Sequence, residues 1–244
     1  MLSLRDLHAG YGRITVLRGV NLDVPDGSVV ALIGSNGSGK TTTLRTISGL
    51  ITPSQGEITL DGQSLVGMNP DAIARAGVAH VPEGRGVFPE LTVKENLELG
   101  ALTLPAAAVG AAIDEVLVHF PALHDRLGQR AGSLSGGEQQ MLVIARGMVS
   151  RPRLLMIDEM SLGLAPIVLK RLFSVIPALN AGGTTILLVE QFLNLILPVL
   201  DYAYVLEKGQ VALEGTRKEI AKKRTQLQAS YIGRRHTTPV GRTR

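Results

Sequence analysis

The chain has 244 residues, a formal net charge of +4, no cysteine, no tryptophan and 3% aromatic residues. The length suits one large α/β domain or two small lobes, and the missing cysteine excludes disulfides and thiolate metal sites. From Arg217 onward nine Lys and Arg face one acid, Glu219, a balance of +8 that leaves the rest of the chain at −4. A nucleic-acid face spread over the fold is therefore not expected.

No long apolar run opens the chain, so no secretory signal is expected. The uncharged candidate 99–113 falls short of the ~20 residues a bilayer needs and is interrupted by Pro105 and Gly110. In chain order, residues 1–24 alternate apolar and polar side chains, which predicts antiparallel strands. Tyr11-Gly12 falls in the first turn between them. Tyr11 reads as a turn aromatic or, set just upstream of a glycine-rich loop, as a stacking platform for an adenine ring.

Pro25-Asp26-Gly27 predicts a turn into an apolar strand at 29–33. That strand runs into Gly34-Ser35-Asn36-Gly37-Ser38-Gly39-Lys40-Thr41, and Thr42 continues into a helix. Strand, glycine-rich loop and helix at this spacing form a P-loop for a nucleoside triphosphate. Glycines let backbone N–H groups close around phosphate oxygens, and the helix points its positive end at the same phosphates. Lys40 is expected at the β- and γ-phosphates and the Thr41 hydroxyl on Mg²⁺.

Further along, 57–62 predicts a strand ending in a hairpin turn, Asn69-Pro70 opens a short helix that Gly77 closes, and 78–81 predicts a buried strand. The loop Pro82-Glu83-Gly84-Arg85-Gly86 comes next, just past a strand end where α/β proteins place sites. Thr92 and Glu95 make a capping box. Residues 93–130 read as helical, with Pro105 and Pro121 as breaks. Ser135-Gly136-Gly137-Glu138 precedes a helical run through Met148, a second N-terminus able to face phosphate.

Leu154 to Ile157 form an apolar strand that ends in two acids. Asp158 is placed to hold Mg²⁺ and Glu159 to polarise an attacking water. Ser161 to Pro166 turn into a helix, and 184–189 is a further buried strand ending in Glu190-Gln191. Residues 203–213 predict a hairpin. Arg234 onward is polar and basic; a disordered, solvated tail is expected at 234–244, contact with anionic lipid headgroups being the alternative.

The ordered set 34–41, 134–138 and 154–159 resembles the ATP-binding subunit of an ABC transporter, over nearly the whole chain. The details Pro82-Glu83-Gly84-Arg85, 161–166 and Leu188-Val189-Glu190-Gln191 resemble the branched-chain amino acid importer ATPases, and of their paired subunits the shorter type. The resemblance implies an α/β fold: a RecA-like parallel-sheet core, an N-terminal antiparallel β subdomain and a helical subdomain inserted at about 90–145, all within 1–233. It implies ATP and Mg²⁺ at a site where Tyr11, residues 34–42 and the Ser135–Glu138 turn bind nucleotide. Thr41, Asp158 and Glu83 would hold the metal, and Glu159, Lys40, Gln191 and Glu83 would serve catalysis.

It also implies a head-to-tail dimer with a sister ATPase or with itself. Two membrane permeases and an external solute-binding protein complete such a system, at the cytoplasmic face of the cell membrane. Urea or a short amide is the alternative solute, and a soluble, non-transport ATPase the alternative class. Three positions depart from the general pattern: Glu83 replaces a glutamine, Gln191 a histidine and Met160 a proline. Met160 is expected to loosen its turn.

Overall fold

The computed structural model describes residues 1–84, 86–161 and 163–223. Expectations for Arg85, for Leu162 and for the segment from Arg224 on, including the basic tail at 234–244, lie outside the described residues.

The first layer is an antiparallel sheet. Strands β1 (Leu2–Tyr11), β2 (Ile14–Val24), β4 (Gln55–Leu60) and β5 (Gln63–Ser64) pair in the order β2-β1-β4-β5. Tyr11 is the last residue of β1, and the turn itself is Gly12-Arg13, one residue later than expected. Between β2 and β4 the chain crosses to the second sheet, as β3 (Val29–Gly34), and returns through helix α1 (Lys40–Ile47); helix α2 (Pro70–Arg75) follows β5.

The second sheet adds β6 (Val78–Val81), β7 (Leu154–Asp158), β8 (Thr185–Glu190), β9 (Tyr202–Glu207) and β10 (Gln210–Thr216), in the order β10-β9-β3-β8-β7-β6. Its pairs are parallel except β9 with β10. Both faces are covered, so its strands read as unbroken apolar runs. Successive side chains serve opposite layers. In β3, Val29, Ala31 and Ile33 join the apolar cluster on the helical side, whereas Val30 and Leu32 join the one beneath the antiparallel sheet. Strands β7 and β8 divide in the same way, with Leu155, Ile157, Ile186 and Leu188 facing the helices.

On that helical side lie α3 (Val93–Gly100), α4 (Ala106–His119), α5 (Pro121–His124), α6 (Gly136–Val149) and α7 (Pro166–Ala181). The helical run is interrupted at both prolines, as expected, and each also starts the next helix: Pro105 is the N-cap of α4 and Pro121 the first residue of α5. At these positions the missing N–H has no partner to lose. Residues 125–130 are not helical. Val93 and Lys94 donate their N–H groups to Gln129 and Leu127 at 2.9 and 3.0 Å, and Thr92 bridges Arg130, which closes the start of α3 against an extended segment. The polar anchor there is Asn96, fully buried, whose side chain donates to Phe88 O and Thr92 O and accepts from Phe88 N.

Candidate active site

The strand β3 is buried throughout and delivers Gly34 at the C-terminal edge of the parallel sheet, where α1 begins with Lys40. Gly39 sits at φ 112, a backbone region that side chains disfavour, and the loop cannot enter the helix otherwise. The Ser38 carbonyl accepts the Gly209 N–H at 2.9 Å, so the β9–β10 turn buttresses the loop from below. A cleft of about 420 Å³ opens over this loop. Asn36, Gly37, Gly39, Lys40, Thr41 and Thr42 line its base, with Tyr11, Glu83 and Glu159 around them. The structure therefore gathers four separately predicted segments at one place. Val16 on β2 also lines the cleft, a plain apolar residue that nothing in the sequence marked.

Lys40 is 4% exposed, and its Nζ donates to the carbonyls of Gly34 at 2.9 Å and Ser35 at 3.3 Å. It also pairs with Glu159 Oε1 at 2.9 Å. The ammonium is held by the loop's own carbonyls and by the carboxylate across the cleft. Glu159 lies one residue past β7 at φ 39, an uncommon conformation for a side chain of this size, and its N–H is fixed on Val189 O at 2.9 Å. Met160, expected to loosen the turn, is 1% exposed and packs into the apolar cluster on the helical side.

Asp158 is 1% exposed, and among the described residues no donor reaches either carboxylate oxygen with hydrogen-bonding geometry. Burial pushes its carboxyl up to about 6; Thr41 and Lys40 favour the charged form, and the negative charges of Glu159 and Glu83 oppose it. Orphaned carboxylate oxygens beside a threonine hydroxyl fit a hard divalent cation. Among the described residues no three His, Asp or Glu side chains converge as a cation cage. A metal here would draw most of its ligands from phosphate and water, which is the habit of Mg²⁺.

Burial also pushes Glu190 up to about 7 and His80 down to about 4. The two raised carboxylates bind protons more tightly folded than unfolded, so each withdraws stability as pH rises through its window. His80 binds its proton more tightly unfolded and contributes the opposite slope. Glu95, Glu138 and Glu219 are lowered, and their windows lie at more acidic pH. One carboxylate's worth remains. The nucleotide-free protein is expected to lose on the order of 3 kcal/mol of unfolding free energy between about pH 4.5 and about pH 7.5. Urea denaturation across that range reads it, and stability that rises with pH would contradict the burial of these groups.

The Ser135–Glu138 turn caps α6 and does not line the cleft of its own chain. Ser135 accepts the Glu138 N–H, while Glu138 Oε2 accepts both the Ser135 N–H at 2.9 Å and its hydroxyl at 2.7 Å. Glu138 Oε1 pairs with Arg126 at 3.1 Å. These bonds to Ser135, and Arg126 beside it, hold the Glu138 carboxyl below its usual range. Glu138 thus shapes the turn from within the chain. Gly137 has a packing reason besides: a Cβ there would meet Val168 Cγ1 of α7 at 2.4 Å.

Helix α6 also reaches the Glu83 loop. Arg146 donates to Gly86 O at 2.7 Å, and its guanidinium lies 5.0 Å from the centre of the Phe88 ring. Gln191 succeeds β8 half-buried and is not among the residues lining the cleft. Tyr11 is 45% exposed, and its hydroxyl accepts from Arg45 at 3.2 Å. Three contacts escaped sequence reasoning: Lys40 with Glu159, Tyr11 with Arg45, and Glu190 with Ser161. The first and third follow from β8 pairing with both β3 and β7, and the second from the packing of α1 against β1.

Comparison with known proteins agrees with this geometry. The family model described as "ABC transporter" matches residues 17–161. A high-affinity branched-chain amino acid transport ATP-binding protein of Pseudomonas aeruginosa, BraG, is 45% identical over 216 residues, 88% of this chain and 93% of that protein. A probable branched-chain amino acid transport ATP-binding protein of Archaeoglobus fulgidus, LivF, is 39% identical over 221 residues, 90% of this chain and 94% of that one. Among solved structures, the ADP conformation of MJ1267, an ATP-binding cassette of an ABC transporter, superposes with a TM-score of 0.87 at 27% identity, covering 96% of this chain and 98% of that one. A glycine-rich loop and an acidic strand end share one cleft, and with this family match and these relatives the chain belongs to the ABC transporter family as an ATP-binding ATPase subunit.

Proposed function

We propose that this ATPase drives an importer of branched-chain or other hydrophobic amino acids. It would work as a peripheral subunit at the cytoplasmic face of the cell membrane, beneath two permeases served by an external solute-binding protein. The observation that carries the reading is the 45% identity to BraG, which extends over almost the full length of both chains rather than over the nucleotide motifs alone. Among the described residues no helix is long and apolar enough to cross a membrane, so a transport role needs membrane partners. A second cleft of about 520 Å³ lies beside the Glu83 loop, walled by Tyr11, Leu50, Ile73, His80 and Pro82. With Leu50 60% exposed, it supports permease docking at that loop.

The chemistry is built from the cleft. Tyr11 stacks on the adenine, and residues 34–42 cradle the phosphates. Lys40 leaves Glu159 for the β- and γ-phosphates, which frees Glu159 to accept the proton of the attacking water. Gln191 donates a hydrogen bond toward the γ-phosphate. Thr41 and Asp158, with Glu83 nearby, would hold Mg²⁺, which would supply charge neutralisation at the phosphate oxygens. The Ser135–Glu138 turn of a facing subunit, a sister ATPase or a second copy, caps the nucleotide. Closure on ATP and opening after hydrolysis bias the permeases between two states.

The test is reconstitution with the membrane subunits in liposomes, with the binding protein outside and MgATP inside. Labelled leucine, isoleucine and valine are expected to accumulate in an ATP-dependent manner, and urea is not. Urea uptake without amino-acid uptake would establish the alternative solute. ATP hydrolysis indifferent to the membrane subunits would overturn the transport role.

A further inference from the structure

Glu190 is a buried carboxylate to which the mechanism above gives no task. It is 1% exposed at the last position of β8, next to Gln191. Its Oε1 accepts the Ser161 backbone N–H at 3.1 Å, and its Oε2 accepts the Ser161 hydroxyl at 2.7 Å. The backbone amide of Gln191 also favours its charge. Ser161 stands two residues past Glu159, whose own N–H is fixed on Val189 O at 2.9 Å. The turn carrying Glu159 is therefore fastened to the end of β8 at two successive points, one through backbone and one through Glu190.

Packing alone does not call for an acid here. Its neighbours in the paired strands, Ile33 on β3 and Val189 before it, are apolar. Among the described residues no cation pairs with Glu190. Among the described residues the charged group that acts on it is Glu159, just past β7, which itself pairs with Lys40 of α1. A buried carboxylate without a cation costs several kcal/mol unless it is protonated or its hydrogen bonds matter to function. Burial, with Glu159 adding to it, brings this carboxyl up to about 7.

We propose that Glu190 is a positioning residue for hydrolysis, clamping the turn that carries Glu159 to the strand end that carries Gln191, so that the general base and the γ-phosphate contact move as one unit. The inference rests on Glu159 being the base. Without the clamp, Glu159 is free to leave its left-handed φ and its aim at the cleft is lost. The P-loop does not touch Glu190, so nucleotide binding stays. Protonation keeps the clamp, because the Ser161 hydroxyl can turn from donor to acceptor. It removes the like charge beside Glu159, however, which makes Glu159 a weaker base. Turnover therefore falls as pH drops through neutrality, an acidic limb that Gln191 cannot supply because it does not titrate.

The test compares kcat, KM for MgATP, pH–rate profile and melting temperature for the parent, Glu190→Ala, Glu190→Gln, Gln191→Ala and Glu159→Gln in the full chain. Glu190→Ala is expected to lower kcat about tenfold or more with KM changed less than about threefold. The amide of Glu190→Gln can accept from the Ser161 N–H and donate to its hydroxyl. It keeps the clamp without the charge, so its kcat is expected to stay near the parent's acid-side value at every pH, above that of Glu190→Ala and without the acidic limb, which Gln191→Ala retains. Glu190→Ala within about twofold of the parent, or an acidic limb unchanged in Glu190→Gln, overturns the proposal. If Glu190→Ala does not fold, the Glu190→Gln profile alone decides. If Glu159→Gln still turns over, the base assignment is what fails; a dead Glu159→Gln beside an unimpaired Glu190→Ala removes the clamp alone.

Discussion

Glu159→Gln is expected to abolish ATP turnover while ATP still binds. The amide has the shape of the carboxylate and keeps the packing of the turn, but it cannot take the proton of the attacking water. General-base catalysis of this kind contributes about 10² to 10⁴ in rate. The variant also removes the charge that holds Lys40 at 2.9 Å. An unpaired Lys40 is freer to meet the triphosphate, so ATP affinity is expected to hold or rise. The ATP-loaded pair, unable to hydrolyse, accumulates in the closed state. Steady-state phosphate release gives the first quantity and size-exclusion chromatography with ATP the second. Turnover near the parent's would remove Glu159 as the base and shift attention to Glu83, which lines the same cleft.

Much of this site was legible because phosphate chemistry writes itself into local sequence. A loop that wraps oxygens with backbone N–H groups needs glycines at set positions after a strand, and the run from Gly34 to Thr41 declares this without any tertiary context. The Thr92–Glu95 capping box is equally local, closing over three residues. What stayed hidden depends on strand pairing. Ser161 and Glu190 are 29 residues apart and meet because β7 lies beside β8. The orphaned oxygens of Asp158 are a fact of burial, invisible in an acidic strand end read alone.

Some residues serve two ends. Proline both breaks and starts helices, and Pro105 and Pro121 do both, each interrupting the helical run and opening the next helix. Met160 stands in the turn after Glu159 and is also a core residue, with its side chain 1% exposed. Gly137 shows the converse. The phosphate reading asked for a glycine there, and the contact with Val168 supplies a steric demand for the same residue.

Lys40→Ala carries the second large effect, read on binding rather than on rate. A ligand present at a hundredfold its Kd stabilises the folded state by about 2.7 kcal/mol, which for a chain of this size raises the melting temperature by roughly 5–10 °C. The parent is expected to show that shift with MgATP. Lys40→Ala is expected to show none, because the phosphates lose their one buried ammonium among the described residues lining the cleft. The nucleotide-free variant changes as well. Lys40 is 4% exposed and its partner Glu159 12% exposed, so its removal leaves Glu159 unpaired beside Asp158. Lys40 favours the charged form of Asp158, whose carboxyl, already at about 6, then moves further up. The variant's stability should therefore fall more steeply with rising pH than the parent's. An undiminished MgATP shift in Lys40→Ala would mean that this lysine serves Glu159 and not the nucleotide, and an unchanged pH slope would mean that its charge does not reach Asp158.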